Sequence, residues 1–134
     1  MKVLNIGSMN LDYVYQVDHI VQPGETEATG ERNVHLGGKG MNQTVALAKA
    51  GVDVYHGGMI GRDGQAFIEA CKEYGVNSDY IQKVEGKTGH AIIQVEQSGE
   101  NCILLFAGAN HLVSTDFIDT VLNDFEKGDL LVLQ

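Results

Sequence analysis

Three segments of the chain are apolar at almost every position: 3–6, 102–106 and 130–133. Continuous runs of this kind are typical of strands that are covered on both faces, as in a parallel sheet that lies between helices. The segments therefore predict a buried parallel sheet, and the role of 102–106 is the least determined of the three.

Three other segments alternate between apolar and polar positions: 13–18, 33–36 and 91–96. Strict alternation indicates a strand with one face packed and one face in water. A second, half-exposed sheet is therefore expected beside the buried one. The segment Gln97–Glu100 joins two strand candidates and predicts a hairpin turn.

Helices are predicted in the remaining periodic segments. One spans about 40–50, and another spans 63–74, with Asp63 as its cap and Gly75 in a left-handed conformation at its end. A third follows Ser114 or Thr115, and its apolar stripe consists of Phe117, Ile118, Val121, Leu122 and Phe125. The order of elements predicts an α/β fold in which helices flank a parallel sheet, with extra strands inserted early and in the middle.

Composition narrows the class of protein. A length of 134 residues fits one domain, and 18 acidic against nine basic residues give a net charge of −9. This excess of acid argues against a nucleic-acid partner, and no apolar run is long enough to span a membrane. Cys71 and Cys102 both lie in apolar segments, so we interpret them as reduced core thiols of a cytoplasmic protein.

Asn10 and Asp12 follow the first predicted strand directly. Ligands of open α/β sheets bind beyond the carboxyl ends of the strands, and an amide beside a carboxylate suits a neutral, hydroxyl-rich ligand. The alternative is that both side chains bond their own backbone in a turn. The sequence leaves both interpretations open.

The segment Gly37–Gln43 (GGKGMNQ) has three glycines in four positions at the start of a predicted helix. Glycines let the backbone approach a ligand closely, and the start of a helix offers unpaired N–H groups. Lys39 adds a positive charge, and the side chain of Asn42 is expected to point back towards the turn. The spacing fits neither a P-loop nor a dinucleotide fingerprint, which disfavours a dehydrogenase. The alternative is a glycine-rich turn with a solvated lysine.

Two further glycine-containing segments carry weaker signals. Gly57–Gly64 is expected to turn the chain between a strand and a helix, and Ala107–Asn110 is expected to be a plain turn, although it follows a strand near the candidate site. The five histidines show no spacing that is typical of a metal site.

Together, Gly7–Asp12 (GSMNLD), Pro23–Thr26 (PGET), Gly37–Gln43 and Ala107–Asn110 (AGAN) closely resemble the N-terminal part of the ribokinase-like (PfkB) carbohydrate kinases. The resemblance implies a Rossmann-like, ribokinase-like fold with a small β-sheet lid, whose strands lie near 13–18, 29–36 and 88–96, with 101–106 as a further candidate. It implies transfer of phosphate from ATP to a sugar, with ribose favoured, and it implies Mg²⁺ and in many members a monovalent cation.

The resemblance also assigns sugar-binding positions and a partner. The positions that match the family's sugar contacts are Asn10, Asp12, Gly38, Lys39, Asn42, Ala91 and Ile93. Of these, Ala91 and Ile93 belong to the lid, which in ribokinases also pairs two subunits, so a homodimer is expected. No catalytic, nucleotide-binding or metal-binding residue is assigned within the chain.

The chain departs from the family in length. Family members are longer, and their second half carries a Gly-Ala-Gly-Asp motif with the catalytic aspartate and the nucleotide site. Ala107–Asn110 ends in an amide and does not replace that motif. We therefore expect residues 1–134 to be an incomplete, N-terminal portion of the domain, with weak binding of ATP and Mg²⁺ and little activity alone. The alternative is a non-catalytic sugar-binding or interaction module of the same fold.

Overall fold

The computed structural model describes residues 1–134. Its strands are β1 (Val3–Ile6), β2 (Asn10–Val17), β3 (Arg32–Gly37), β4 (Val54–Ile60), β5 (Asn77–Lys83), β6 (Gly89–Glu96), β7 (Asn101–Phe106) and β8 (Leu130–Leu133). Its helices are α1 (Lys39–Lys49), α2 (Gln65–Tyr74) and α3 (Thr115–Leu122), together with a 3₁₀ turn at Gly108–Leu112. None of these helices combines the length and the apolar character that crossing a membrane requires.

The strands form two sheets. The first has the order β5-β4-β1-β8 and is parallel throughout. The second, which we call the lid, has the order β3-β2-β6-β7; β2 and β6 are parallel, and the outer pairs are antiparallel. The predicted parallel sheet between helices and the predicted second small sheet are both confirmed.

Each face of the parallel sheet has its own apolar core. Val3 of β1 packs on one side with Phe67 and Cys71 of α2 and with Met41 of α1. The next residue, Leu4, points to the other side, where it joins a cluster that includes Phe117 of α3. This alternation explains why a covered strand is apolar at successive positions.

A buried polar group ties α1 to the sheet. Asn5 Nδ2 donates to the carbonyl of Gly40 at 3.0 Å and to Thr44 Oγ1 at 3.0 Å. The Thr44 hydroxyl also pairs with His56 Nδ1 at 2.7 Å. All three side chains are fully buried, so these bonds fix the first turns of α1 against β1 and β4.

Several local predictions need correction. Asp63 does not cap α2: the helix begins after Gly64, and Asp63 Oδ1 instead accepts from the backbone N–H of Thr88 at 2.8 Å. Gly57 lies inside β4 rather than in a turn, where its missing side chain lets Ile6 pack closely. By contrast, Ser114 Oγ accepts from Phe117 N and Gly75 is left-handed, as predicted.

The apolar run at 102–106 does not form the strand of the buried sheet that its pattern predicted; it lies in the lid, the position that the family resemblance offered as a candidate. β7 is an edge strand of the lid, paired only with β6, and every one of its residues is exposed. Cys102 is therefore exposed, whereas Cys71 is buried as expected. The run is apolar at successive positions because one of its faces lines a cavity and the other forms the outside of the lid.

Candidate functional site

A cavity of about 450 Å³ lies between the lid and the carboxyl end of β1. It contains all seven residues singled out from the sequence, and six others contribute to its walls. The full set is Ser8, Asn10, Asp12, Gly38, Lys39, Asn42, Ala91, Ile93, Ile103, Leu105, Ala107, Asn110 and Gln134.

Asn10 and Asp12 lie within β2, two positions apart, so both side chains point to the same face of the lid and into the cavity. The alternative that they are turn residues is wrong. Each is half-buried. An amide and a carboxylate are thereby held side by side on a hydrogen-bonded strand.

The glycine-rich segment forms the corner where β3 meets α1. Gly38 has a φ of 97°, and a side chain there would come within 2.5 Å of the carbonyl oxygen of Ser8. Glycine is therefore required at this position both by the backbone conformation and by the lack of space. The corner brings Lys39 and Asn42 to the same cavity as Asp12.

The first N–H groups of α1 are engaged within the chain rather than left for a ligand. Met41 N donates to the carbonyl of Ser8 at 3.0 Å, and Gly40 N donates to Gln134 Oε1 at 3.1 Å. Gln134 Oε1 also accepts from the Ser8 hydroxyl at 2.6 Å. The expectation of free helix N–H groups is wrong for these two residues.

The part of the lid face next to Asp12 is apolar, since the register partner of Asp12 on β6 is Ala91. Ala91 and Ile93 of β6 face inwards, and their register partners on β7 are Leu105 and Ile103. Cross-strand partners share a face, so the hairpin extends the apolar wall by two residues that the sequence analysis did not single out. Both residues could have been predicted from the sequence. If Ala91 faces the cavity, the predicted hairpin places its cross-strand neighbours on the same face.

Asn110 is a further cavity residue that was not singled out from the sequence, as are Ser8, Ala107 and Gln134. It lies in the 3₁₀ turn, lines the cavity, and donates from Nδ2 to Asn10 Oδ1 at 2.8 Å. The two asparagines are 100 positions apart, so no local pattern signals their contact.

The charges of the cavity are one carboxylate and one ammonium group. Burial raises the pKa of Asp12 above its ordinary value, and the nearby His35 partly opposes this shift. Lys39 is exposed at the rim. No group of three or more His, Cys, Asp or Glu side chains that could hold a metal ion is present in the chain.

Comparison with known proteins defines the class. The pfkB family of carbohydrate kinases matches residues 1–134. The chain is 38% identical to the ribokinase of Schizosaccharomyces pombe over 144 aligned residues, which are 100% of this chain and 45% of that protein. The chain belongs to the pfkB family of carbohydrate kinases.

Solved structures agree with this assignment. Ribokinase from Thermotoga maritima superposes with a TM-score of 0.88 at 36% identity, covering 97% of this chain and 43% of that one. Arabidopsis thaliana ribokinase, solved with ribose and ATP, superposes with a TM-score of 0.80 at 30% identity, covering 99% and 45%. The chain spans about half the length of the relatives it matches.

Proposed function

We propose that these 134 residues are the sugar-binding part of a ribokinase, which transfers phosphate from ATP to a hydroxyl group of ribose. The observation that carries the proposal is the convergence of Asn10, Asp12, Lys39 and Asn42 on one cavity, where an apolar wall formed by β6 and β7 adjoins Asp12. The relatives support ribose as the sugar, since several are ribokinases and one was solved with ribose and ATP. The activity is assigned to the full-length protein, by which we mean the product of the complete reading frame that contains these residues.

Each polar residue has a role that follows from its chemistry. The ionised Asp12 accepts hydrogen bonds from sugar hydroxyls, and such charge-assisted bonds are stronger than neutral ones. Lys39 donates at the rim, and the amide of Asn42 can both donate and accept. Four groups on rigid elements fix the orientation of a small polyol.

The apolar wall completes the recognition of a sugar. A pentose presents C–H groups as well as hydroxyls, and these can lie against Ala91, Ile93, Ile103 and Leu105. Because two of the four belong to the exposed edge strand β7, a bound sugar would cover apolar surface that is otherwise in water.

The reaction itself depends mainly on positioning. Phosphoryl transfer needs the acceptor hydroxyl held in line with the nucleotide, together with stabilisation of the charge on the transferred group. The residues described here hold the acceptor. In the proposal, Mg²⁺-ATP, a monovalent cation and the catalytic carboxylate all act from the remainder of the full-length protein, so the 134 residues alone are expected to be nearly inactive.

We extend the proposal to a homodimer formed through the outer face of the lid. Leu104 and Phe106 are 68% and 51% exposed, and Val34 and Ile92 lie exposed on the same face. Contiguous exposed apolar side chains of this kind are typical of an interaction surface. The two free cysteines fit the reducing cytoplasm, which is where we place the enzyme.

The test is a phosphorylation assay of the full-length protein with ATP and a panel of sugars: ribose, 2-deoxyribose, fructose and a nucleoside. The proposal expects ribose to give the highest kcat/KM. It expects Asp12→Asn to lower this value by about 100-fold, in line with the loss of a charged hydrogen-bond partner. Asp119→Asn, an exposed change on α3, serves as the matched control and should have no effect. Absence of sugar phosphorylation by the wild type would refute the proposal.

A further inference from the structure

The side-chain amide of Asn110 is held in one orientation by the backbone of Met9. The N–H of Met9 meets Asn110 Oδ1 at 3.0 Å, and Asn110 Nδ2 lies 3.1 Å from the carbonyl oxygen of Met9. A backbone N–H can only donate and a carbonyl can only accept, so this pair of contacts decides which atom of the amide is oxygen and which is nitrogen.

This orientation determines the orientation of Asn10 in turn. The second hydrogen of Asn110 Nδ2 points to the Asn10 side chain at 2.8 Å, so the atom of Asn10 that it meets must be the oxygen. Both hydrogens of Asn110 are then used. The amino group of Asn10 has no hydrogen-bond partner within the chain, and Asn10 lines the cavity.

The space for this contact comes from a glycine. Gly89 is the register partner of Asn10 on the adjacent strand β6. A side chain at Gly89 would overlap Asn110 Nδ2 and would come within 2.5 Å of Asn10 Oδ1. The missing side chain therefore lets Asn110 reach Asn10 across the strand.

We propose that Asn110 is a positioning residue that holds Asn10 with its amino group towards the cavity, so that Asn10 acts as a donor beside the acceptor Asp12. The inference rests on the proposed function. It narrows the ligand to a polyol in which one oxygen accepts from Asn10 while a hydroxyl donates to Asp12. Asn110 itself has no N–H left for the sugar, so it acts through Asn10 alone.

The first test needs no substitution. In side-chain amide spectra of the wild-type full-length protein, the Asn110 protons should exchange slowly with or without ribose. The Asn10 protons should shift when ribose is added. Asn110 protons that exchange as fast as those of exposed Asn123 would overturn the proposal. If the wild type binds no ribose, the proposed function fails, whereas slow exchange at Asn110 would still support the orientation of Asn10.

The second test is a cycle of variants assayed by kcat/KM for ribose. Asn110→Ala should lower the value by about tenfold, mainly through KM, because the amide of Asn10 becomes free to rotate. Gly89→Ala should act in the same direction. Adding Asn110→Ala to Asn10→Ala should cause little further loss, since Asn110 has nothing left to position.

Independent, multiplying losses in the Asn10→Ala, Asn110→Ala double variant would overturn the proposal, since they would mean that Asn110 acts by some route other than Asn10. His111→Ala, an exposed change in the same 3₁₀ turn, is the matched control and should leave the kinetics unchanged.

Discussion

The carboxylate of Asp12 lies over the backbone of Gly37, in the space that any other side chain at position 37 would fill. A β-carbon at Gly37 would overlap Asp12 Oδ2 and would come within 2.9 Å of Asp12 Cγ. Gly37 sits on β3, opposite Asn10 and diagonal to Asp12. A glycine on the neighbouring strand therefore sets the position of the charged group in the cavity.

Gly37→Ala is expected to weaken ribose binding by about 10- to 100-fold, because the displaced carboxylate loses a charge-assisted hydrogen bond to the sugar. Calorimetric titration of the full-length protein with ribose measures the effect. Gly30→Ala is the control, since a side chain at Gly30 would meet no atom within 4 Å. Equal affinities for the two variants would contradict the role of Gly37.

Sugar binding should weaken at mildly acidic pH. Burial raises the pKa of Asp12, with His35 opposing. The ionised carboxylate accepts charge-assisted hydrogen bonds from sugar hydroxyls at both oxygens, whereas the protonated acid is uncharged and donates from one of them. KM for ribose should therefore rise as the pH falls through this pKa, and it should begin to rise at a higher pH than an ordinary aspartate would cause. Asp12→Asn should abolish this pH dependence. A KM profile that is the same in both proteins would remove Asp12 from the site.

The raised pKa of Asp12 also predicts that Asp12→Asn, which should weaken sugar binding, does not destabilise the fold. A raised pKa in the folded state means that the ionised Asp12 destabilises the fold at neutral pH. Asp12→Asn should therefore keep or raise the melting temperature at pH 7 while it lowers sugar affinity. Thermal unfolding of the wild type and the variant measures this, and a large drop in melting temperature would contradict it.

His56 should make the fold sensitive to acid. Burial lowers the pKa of His56 to about 4 from 6.5, opposed only in part by the backbone of Gly7. Above pH 6.5, His56 is neutral in both the folded and the unfolded state, and the free energy of unfolding has its full value. As the pH falls from 6.5 towards 4, only the unfolded state takes up the proton, and the free energy of unfolding decreases by roughly 3 kcal/mol in all. Denaturant unfolding between pH 7 and pH 4.5 measures this. His56→Gln should flatten the decline, whereas His111→Ala, at an exposed position, should retain it.

The lid surface should control assembly. Leu104→Glu places a charge on the exposed apolar face, at its most exposed leucine, and should weaken the proposed dimer at least about tenfold. Leu112→Glu changes another exposed leucine, which lies outside the lid, and should leave assembly unchanged. Light scattering over a concentration series measures the effect. A wild type that stays monomeric at high concentration would exclude the dimer.

Much of the fold could be predicted because its patterns are local. Apolar runs in 3–6 and 130–133, alternation in 91–96 and the stripe of α3 each report burial within one element. The glycine-rich corner could also be predicted, since the glycines of GGKG directly precede a helical segment and indicate a tight turn. Asp12 was recognisable as a candidate, although only the structure places it on a strand rather than in a turn.

The remaining features depend on contacts that no window of sequence contains. Asn110 meets Asn10 across 100 positions, and Gln134 meets Ser8 across 126. The segment 102–106 was ambiguous for a different reason: a strand whose two faces both require apolar residues looks the same whether it is buried in a sheet or exposed at the edge of a lid. Asp63 was misassigned because a distant N–H, that of Thr88, competes for its carboxylate.

We propose that one cavity, with Asp12 and Asn42 among its polar residues, holds the sugar. A crystal structure of the full-length protein soaked with ribose would show whether it does. We expect one ribose with hydroxyl groups within hydrogen-bond distance of both side chains and with its C–H face against Ile93. A ribose bound at another surface, with this cavity empty, would refute the proposal.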